Sequence, residues 1–192
     1  MLDHLAIDEA HSRLFIAELG NGTVGVVDLA QAKATSQIGG LSEPQGLAFV
    51  EATNTLYVAS GGDGSVRIYA GDRLTPEAQI ALGDDADNLR LDPKSGQVLA
   101  GYGSGALAVI DPATHKAVAR IPLPAHPESF QLDPTGPLVY VNLPGAHQIV
   151  PIGRRANFQE LLDISACDEA VAFGGLHHHP ERVQSRGCRQ LG

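Results

Sequence analysis

Apolar residues recur along this chain in runs of three to five, and the runs themselves recur every 41 or 42 residues. Each unit opens on a line of one type: Leu5-Ala6-Ile7-Asp8, Leu47-Ala48-Phe49-Val50, Leu89-Arg90-Leu91-Asp92 and Phe130-Gln131-Leu132-Asp133. Their first residues lie 42, 42 and 41 positions apart. A second run follows about nine residues later, as in Leu56-Tyr57-Val58-Ala59 and Val139-Tyr140-Val141-Asn142. A third comes after a glycine-containing turn, as in Val66-Arg67-Ile68-Tyr69 and Leu107-Ala108-Val109-Ile110-Asp111, and a weaker fourth ends at Ile38, Ile80 and Ile121. Four short β-rich runs separated by turn residues predict a four-stranded antiparallel meander.

The runs differ in character. First strands alternate: Leu89 and Leu91 fall on one face and Arg90 and Asp92 on the other, the pattern of a half-buried strand. Second strands are nearly continuous in apolar residues, which predicts burial on both faces, as between two neighbouring meanders. Asp92-Pro93-Lys94-Ser95-Gly96 and Asp133-Pro134-Thr135-Gly136 place Pro after Asp and Gly at the close, suited to tight reversals. No 3.6-residue periodicity runs through the repeats. A repeat of this length built from four strands predicts an all-β fold, a β-propeller of four-stranded antiparallel blades. The blades start near residues 5, 47, 89 and 130 and occupy residues 1–153.

Tyr57-Val58-Ala59-Ser60 and Tyr140-Val141-Asn142-Leu143 resemble the Tyr-Val-Thr-Asn motif of the bacterial YVTN-type propeller repeat. Ala106 to Thr114, followed by Val118-Ala119-Arg120-Ile121-Pro122, is similar to the later part of that repeat. Blade 2 departs from the pattern at Ala70-Gly71, and blade 4 at Pro151 and Gly153. The resemblance implies architecture rather than activity, since such propellers host many roles. With four blades in hand, the expectation is a fragment of a six- to eight-bladed ring. Residues 154–192 depart from the repeat and are expected to form an atypical tail, partly strand-like or disordered. The tail has five Arg, no Lys, both cysteines (Cys167 and Cys188) and a His-His-His-Pro run, a composition that a frameshifted reading of GC-rich DNA could produce.

Composition narrows the partners. The formal charge is −9, all of it from residues 1–153, where seventeen acids face eight Lys and Arg. That balance argues against nucleic acid, which is gripped by clustered Lys and Arg. No apolar run approaches the ~20 residues of a membrane span. The repeats lack cysteine and need no disulfide. Relatives of the repeat are often exported, so the resemblance implies a periplasmic or secreted setting, although no signal peptide opens the sequence as given. Unpaired blade edges would favour self-association.

In such propellers the loops from each fourth strand to the next first strand gather at one end of the channel; the resemblance implies this placement. Here they read Ser42-Glu43-Pro44-Gln45-Gly46, Asp84-Asp85-Ala86-Asp87-Asn88 and Ala125-His126-Pro127-Glu128-Ser129. The candidate ligand-binding set is therefore Glu43, Gln45, Asp85, Asp87, Asn88, His126 and Glu128. The first reading is a non-enzymatic scaffold that binds a small ligand, peptide or protein through these loops. Converging oxygen ligands could also hold a divalent cation such as Ca²⁺. Pro44-Gln45-Gly46 resembles a loop of gluconolactonase-type propellers, whose Glu, Asn and Asp surround one divalent metal, so a metal-dependent lactonase is the alternative. A redox-associated role, implied by similarity to quinoprotein propellers, comes third and lacks a Cys-x-x-Cys-His haem site.

Solvated turns also consist of Asp, Asn, Pro and Gly, so each loop alone is weak evidence. Gly61-Gly62-Asp63-Gly64 and Gly101-Tyr102-Gly103-Ser104-Gly105 lead into strands and read as hairpin turns, with no helix N-terminus to hold phosphate. No Ser-His-Asp grouping can be argued.

Overall fold

The computed structural model describes residues 1–154. Residues 155–192 of the tail, with both cysteines and the histidines at 177–179, lie outside the described residues. Four antiparallel meanders follow one another in sequence. The first contains β1 (Leu5–Asp8), β2 (Arg13–Glu18), β3 (Thr23–Asp28) and β4 (Lys33–Ile38). The second contains β5 (Pro44–Val50), β6 (Thr55–Ser60), β7 (Ser65–Ala70) and β8 (Thr75–Ala81). The third contains β9 (Ala86–Leu91), β10 (Val98–Tyr102), β11 (Ala106–Asp111) and β12 (Lys116–Pro122). The fourth shows three strands among the described residues: β13 (Ser129–Leu132), β14 (Leu138–Leu143) and β15 (Gln148–Gly153). No helix of the described residues is long and apolar enough to cross a membrane.

Strand chemistry sets the depth of each strand. The fourth strands are largely exposed and polar on their outer side, as in Lys33–Ile38 and Thr75–Ala81. The second strand β6 is buried at every residue. Because side chains alternate across a strand, β6 feeds two different cores. Leu56 and Val58 join Phe15, Ala17, Val24 and Val26 of the first blade, while Tyr57 and Ala59 join Leu89, Val98 and Ala100 of the third. Leu99 then faces Phe130, Val139 and Val141 of the fourth blade. Three cores alternate with the sheets. Each fully buried Leu, Val or Phe contributes roughly 1.5–3 kcal/mol of transfer free energy.

The first strands line the inside of the arc, and here the half-buried expectation needs correcting. Leu89 is fully buried and Arg90 and Leu91 are half-buried, but Asp92, just beyond β9, is buried too. The neighbouring inner strands cover both sides of β9, and Asp92 takes an ion pair from Arg154 Nη1 at 2.8 Å. At the first blade, by contrast, Leu5 and Ile7 are exposed.

Polar ties fasten neighbouring blades at one end of the arc, that of the first-to-second and third-to-fourth turns. Arg13 pairs with buried Asp8, donates to Asn54 Oδ1 at 3.0 Å and stacks over Phe15 and Phe49. Tyr57 Oη lies 3.0 Å from His115 Nδ1, joining blades 2 and 3. Lys94 Nζ donates to the Thr135 and Gly136 carbonyls, joining blades 3 and 4.

At the other end, β5 and β9 come so close that Gly46 has no room for a side chain. A Cβ there would run into the Asp87 carbonyl oxygen and stand 2.7 Å from the Leu89 nitrogen, both backbone atoms that cannot swing aside. Gly46→Ala is therefore expected to destabilise the protein by about 1–3 kcal/mol or more. Gly39→Ala, whose Cβ would meet only the Thr23 methyl at 4.0 Å, should stay within about 0.5 kcal/mol of wild type. Urea unfolding of the two variants checks the contrast, and equal stabilities would contradict the close approach.

Candidate functional site

The end of the arc that carries the fourth-to-first loops has a repeated backbone irregularity. In the third blade, Leu89 pairs with Ala100 and Ala86 with Tyr102, so Asp87 and Asn88 together oppose the single residue Gly101. In the second, Gln45 and Gly46 oppose Ala59. In the first, Asp3 donates to the Ala17 carbonyl while the Ala17 amide donates to His4, and in the fourth Glu128 and Ser129 both engage Asn142. A bulge adds one residue, bends the strand and re-aims its side chains. The two bulges, with the matching hydrogen bonds of the first and fourth blades, place Asp3, Gln45, Asp87 and Glu128 at one equivalent position, two residues before each first strand's leading apolar residue. They place His4, Gly46, Asn88 and Ser129 at the next.

Asp87 is the centre of this ring. It is 8% exposed and, among the described residues, makes no hydrogen bond within normal distance. Its ligand atoms gather with those of His126 and Glu128, all within 4.8 Å of one another, and equally with those of Asp3 and His4. His126 Nε2 faces Asp87 Oδ2 at 3.7 Å, and its Nδ1 lies 3.6 Å from Asp85 Oδ2. His4 reaches past side-chain-free Gly46 to set its Nε2 2.9 Å from Asn88 Nδ2, and its Nδ1 lies 3.2 Å from Asp3 Oδ1. The buried Asn88 amide keeps its Oδ1 without a partner, and Ser60 Oγ at the same end is likewise unpartnered.

Burial pushes the Asp87 carboxyl up to about 6, against the pull of the nearby His4 and His126 and with a further push from Asp3 and Glu128. Arg90 does not neutralise it. Its guanidinium donates to the Leu89 carbonyl and lies over Phe130, 6.0 Å from the ring centre. Burial holds that guanidinium below its ordinary value, while the Asp87 charge works the other way.

The loops that deliver these groups are tightly shaped. Glu43 and Asp85, equivalent in blades 2 and 3, both adopt left-handed φ angles, 52° and 37°. The Gly101–Gly105 hairpin anchors the loop beside it: Gly103 donates to the Asp84 and Asp85 carbonyls and its own carbonyl sits 2.6 Å from His126 Nδ1. Of the residues expected from sequence, the structure brings together Asp85, Asp87, Asn88, His126 and Glu128. Glu43 stays exposed on the neighbouring loop, and Gln45 lies against Gly61. Asp3 and His4 join the cluster although sequence reasoning passed over them. Their signal was the same offset from the leading apolar residue, Leu5, that singles out Asp87 before Leu89.

The opposite end offers a second hollow, an open groove of about 670 Å³ lined by Ile7, Phe49, Leu91 and Pro112 among others. Its buried carboxylate, Asp92, is already paired with Arg154.

No family model matches the chain, and no curated protein matches it. Solved structures do. Hydrazine synthase of Kuenenia stuttgartiensis superposes with a TM-score of 0.72 at 21% identity, over 79% of this chain and 46% of that one. A candidate 6-phosphogluconolactonase from Bacteroides uniformis superposes with a TM-score of 0.69 at 16% identity, over 84% of this chain and 52% of that one. The chain thus spans about half the length of these solved chains. At such identities the likeness concerns the fold, and with the four meanders it defines the described residues as blades of a β-propeller.

The raised carboxyl of Asp87 has a sign that can be tested. An unfolded carboxyl titrates near 4, so the folded chain binds this proton more tightly and stability falls as pH rises from about 4 through about 6. Asp87→Asn is expected to be more stable than wild type by about 1–2 kcal/mol at pH 7.5 in chelating buffer, with the gap closing toward pH 4. Urea unfolding at several pH values checks this. A gap that does not change with pH would contradict the assignment.

Proposed function

We propose that this propeller is a non-enzymatic binding scaffold whose channel-end loops take a small ligand that is cationic or rich in hydrogen-bond donors. One observation carries the reading: a largely buried carboxylate, Asp87, gathers with Asp3 and Glu128, and its one ion-pair contact among the described residues is with His126 Nε2 at 3.7 Å. Beside it the buried Asn88 Oδ1 has no partner among the described residues, and leaving a buried polar group unsatisfied costs about 1–3 kcal/mol, a cost that a bound ligand can offset. The opposite end has its buried carboxylates paired within the protein, so it has no comparable demand. The likeness to larger propellers supports a role for loops on a rigid frame, as is general for binding sites.

A second reading, hydrolysis of a lactone, is supported by one feature. Burial pushes the Asp87 carboxyl up to about 6, and it lies beside His126, which suits proton transfer near neutral pH. Turnover of δ-gluconolactone, followed by acid release with Zn²⁺, Mn²⁺ or Ca²⁺ supplied, tests it, and no turnover above the spontaneous rate would remove it.

The scaffold reading is tested by a two-dimensional NMR fragment screen on the full chain in chelating buffer. Hits carrying amines or guanidines are expected to shift the amides of Asp84 to Asn88, Gly103 and Ala125 to Ser129. Asp87→Asn should weaken them by at least about tenfold, the scale of one charged contact. Hits that shift only residues around Phe49 and Leu91 would overturn it.

A further inference from the structure

We infer that Asp87, His126 and Glu128 form a binding site for a divalent transition-metal ion, of which Zn²⁺ is the best fit, at the channel end of the propeller. The inference deepens the scaffold reading and rests on it, because it names the occupant of the same ring.

Three features point to a metal rather than to a solvated cluster. The first is the orientation of His126. Its Nδ1 lies 2.6 Å from the Gly103 carbonyl, which can only accept, so Nδ1 carries a proton and Nε2 is the ring nitrogen left to bind an ion. A backbone carbonyl on one ring nitrogen is the support that metal-bound histidines use to fix their tautomer.

The second feature is what that nitrogen faces. Nε2 points at Asp87 Oδ2 across 3.7 Å, longer than a hydrogen bond. Two donor atoms, each about 2.0–2.2 Å from a shared zinc, stand about 3.3–3.7 Å apart at ligand angles between tetrahedral and 120°. The gap between Nε2 and Oδ2 matches that separation. Glu128 lies on the exposed side of the pair, and all three donor atoms fall within 4.8 Å of one another, so a modest rotation of its free side chain closes the set.

The third feature is burial. Asp87 is 8% exposed and carries no hydrogen bond among the described residues. The adjacent Asn88, 1% exposed, faces His4 with one amide atom and leaves its Oδ1 unpartnered. If the Asn88 amide is turned the other way, the unpartnered atom becomes Nδ2, and one polar atom remains unsatisfied in either orientation.

The donor set selects the ion. One imidazole nitrogen with two carboxylates suits Zn²⁺, whereas Ca²⁺ takes six to eight oxygen ligands and Mg²⁺ binds imidazole poorly. Three protein ligands leave the fourth position open toward the channel end. A ligand with a carboxylate, hydroxyl or carbonyl oxygen could complete it, which extends the scaffold's range beyond cationic molecules. Asp3 and His4, on the far side of Asp87, form a second grouping with it. They hold Asp87 in an electrostatic setting that a cation at His126 would relieve.

The test is calorimetric titration of the full, chelator-stripped chain with Zn²⁺, Mn²⁺ and Ca²⁺, repeated in four variants. The histidines at 177–179 could bind zinc adventitiously, so one variant replaces all three with alanine. The others are Glu128→Gln, an exposed change that leaves the fold intact, His126→Ala, and Asp111→Asn as a distant control. One zinc should bind with a dissociation constant in the micromolar range or tighter and survive the triple-histidine change and Asp111→Asn. Glu128→Gln and His126→Ala should each weaken it more than about tenfold. Co²⁺ substituted for zinc should show visible absorption of a four-coordinate site that His126→Ala abolishes. Zinc binding lost in the triple-histidine variant, or unchanged by Glu128→Gln and His126→Ala, overturns the proposal. Either of those results together with fragment binding in chelating buffer would leave the scaffold reading standing while the metal site fails.

Discussion

Each blade of this protein is apolar on both faces, so no blade can bury its surface alone. The constraint is visible in β6, where Leu56 and Val58 need the first blade while Tyr57 and Ala59 need the third. Sheet stacking therefore comes first, and the remaining features follow from it. The inner strands must run side by side close to the channel, the outer strands can be polar, and turns collect at two ends. The exposed Leu5 and Ile7 of the first blade mark what a sheet face looks like without that cover.

The two ends have divided their tasks. At one, buried charges are matched: Asp8 with Arg13 and Asp92 with Arg154. Losing one member of such a pair strands a buried charge, so these ties favour rigidity over exchange with ligands. At the other end, bulges in the second and third blades help turn carboxylates and imidazoles toward one another without matching them. Asp87 sits where two acids, Asp3 and Glu128, and two histidines, His4 and His126, influence a single buried carboxyl. Gly46 makes this possible, since a side chain there would drive β5 and β9 apart and spread the ring.

Much of the fold was legible in the sequence because stacking leaves a periodic trace. A second strand buried on both faces must be continuous in apolar residues, and Leu56-Tyr57-Val58-Ala59 is. The first strands were harder. Arg90 and Asp92 read as a solvated face, but the burial of Asp92 depends on Arg154, which is 62 residues away and follows the last clear strand. The loops of the candidate site were placed by the resemblance to propeller repeats rather than by the period alone, and five of the seven residues expected there gather around Asp87. Asp3 and His4 escaped notice because they precede the first strand rather than follow a fourth one. Glu43 and Asp85 share a backbone conformation, yet only the Asp85 loop meets His126, and nothing local in the sequence distinguishes them. The orientation of His126 was equally hidden. It depends on a carbonyl from the Gly101–Gly105 hairpin, which in sequence reads only as a turn.

The central claim is that the bulged ring around Asp87 is a built binding site and not a chance gathering of turn residues. Anomalous X-ray scattering from crystals of the full chain grown with Zn²⁺, recorded on both sides of the zinc edge, tests it most directly. The account expects a single strong peak about 2 Å from His126 Nε2 and from an Asp87 oxygen, with the Glu128 side chain turned toward it. Crystals whose only zinc peaks lie elsewhere, with His126 still facing an unoccupied Asp87, would contradict it.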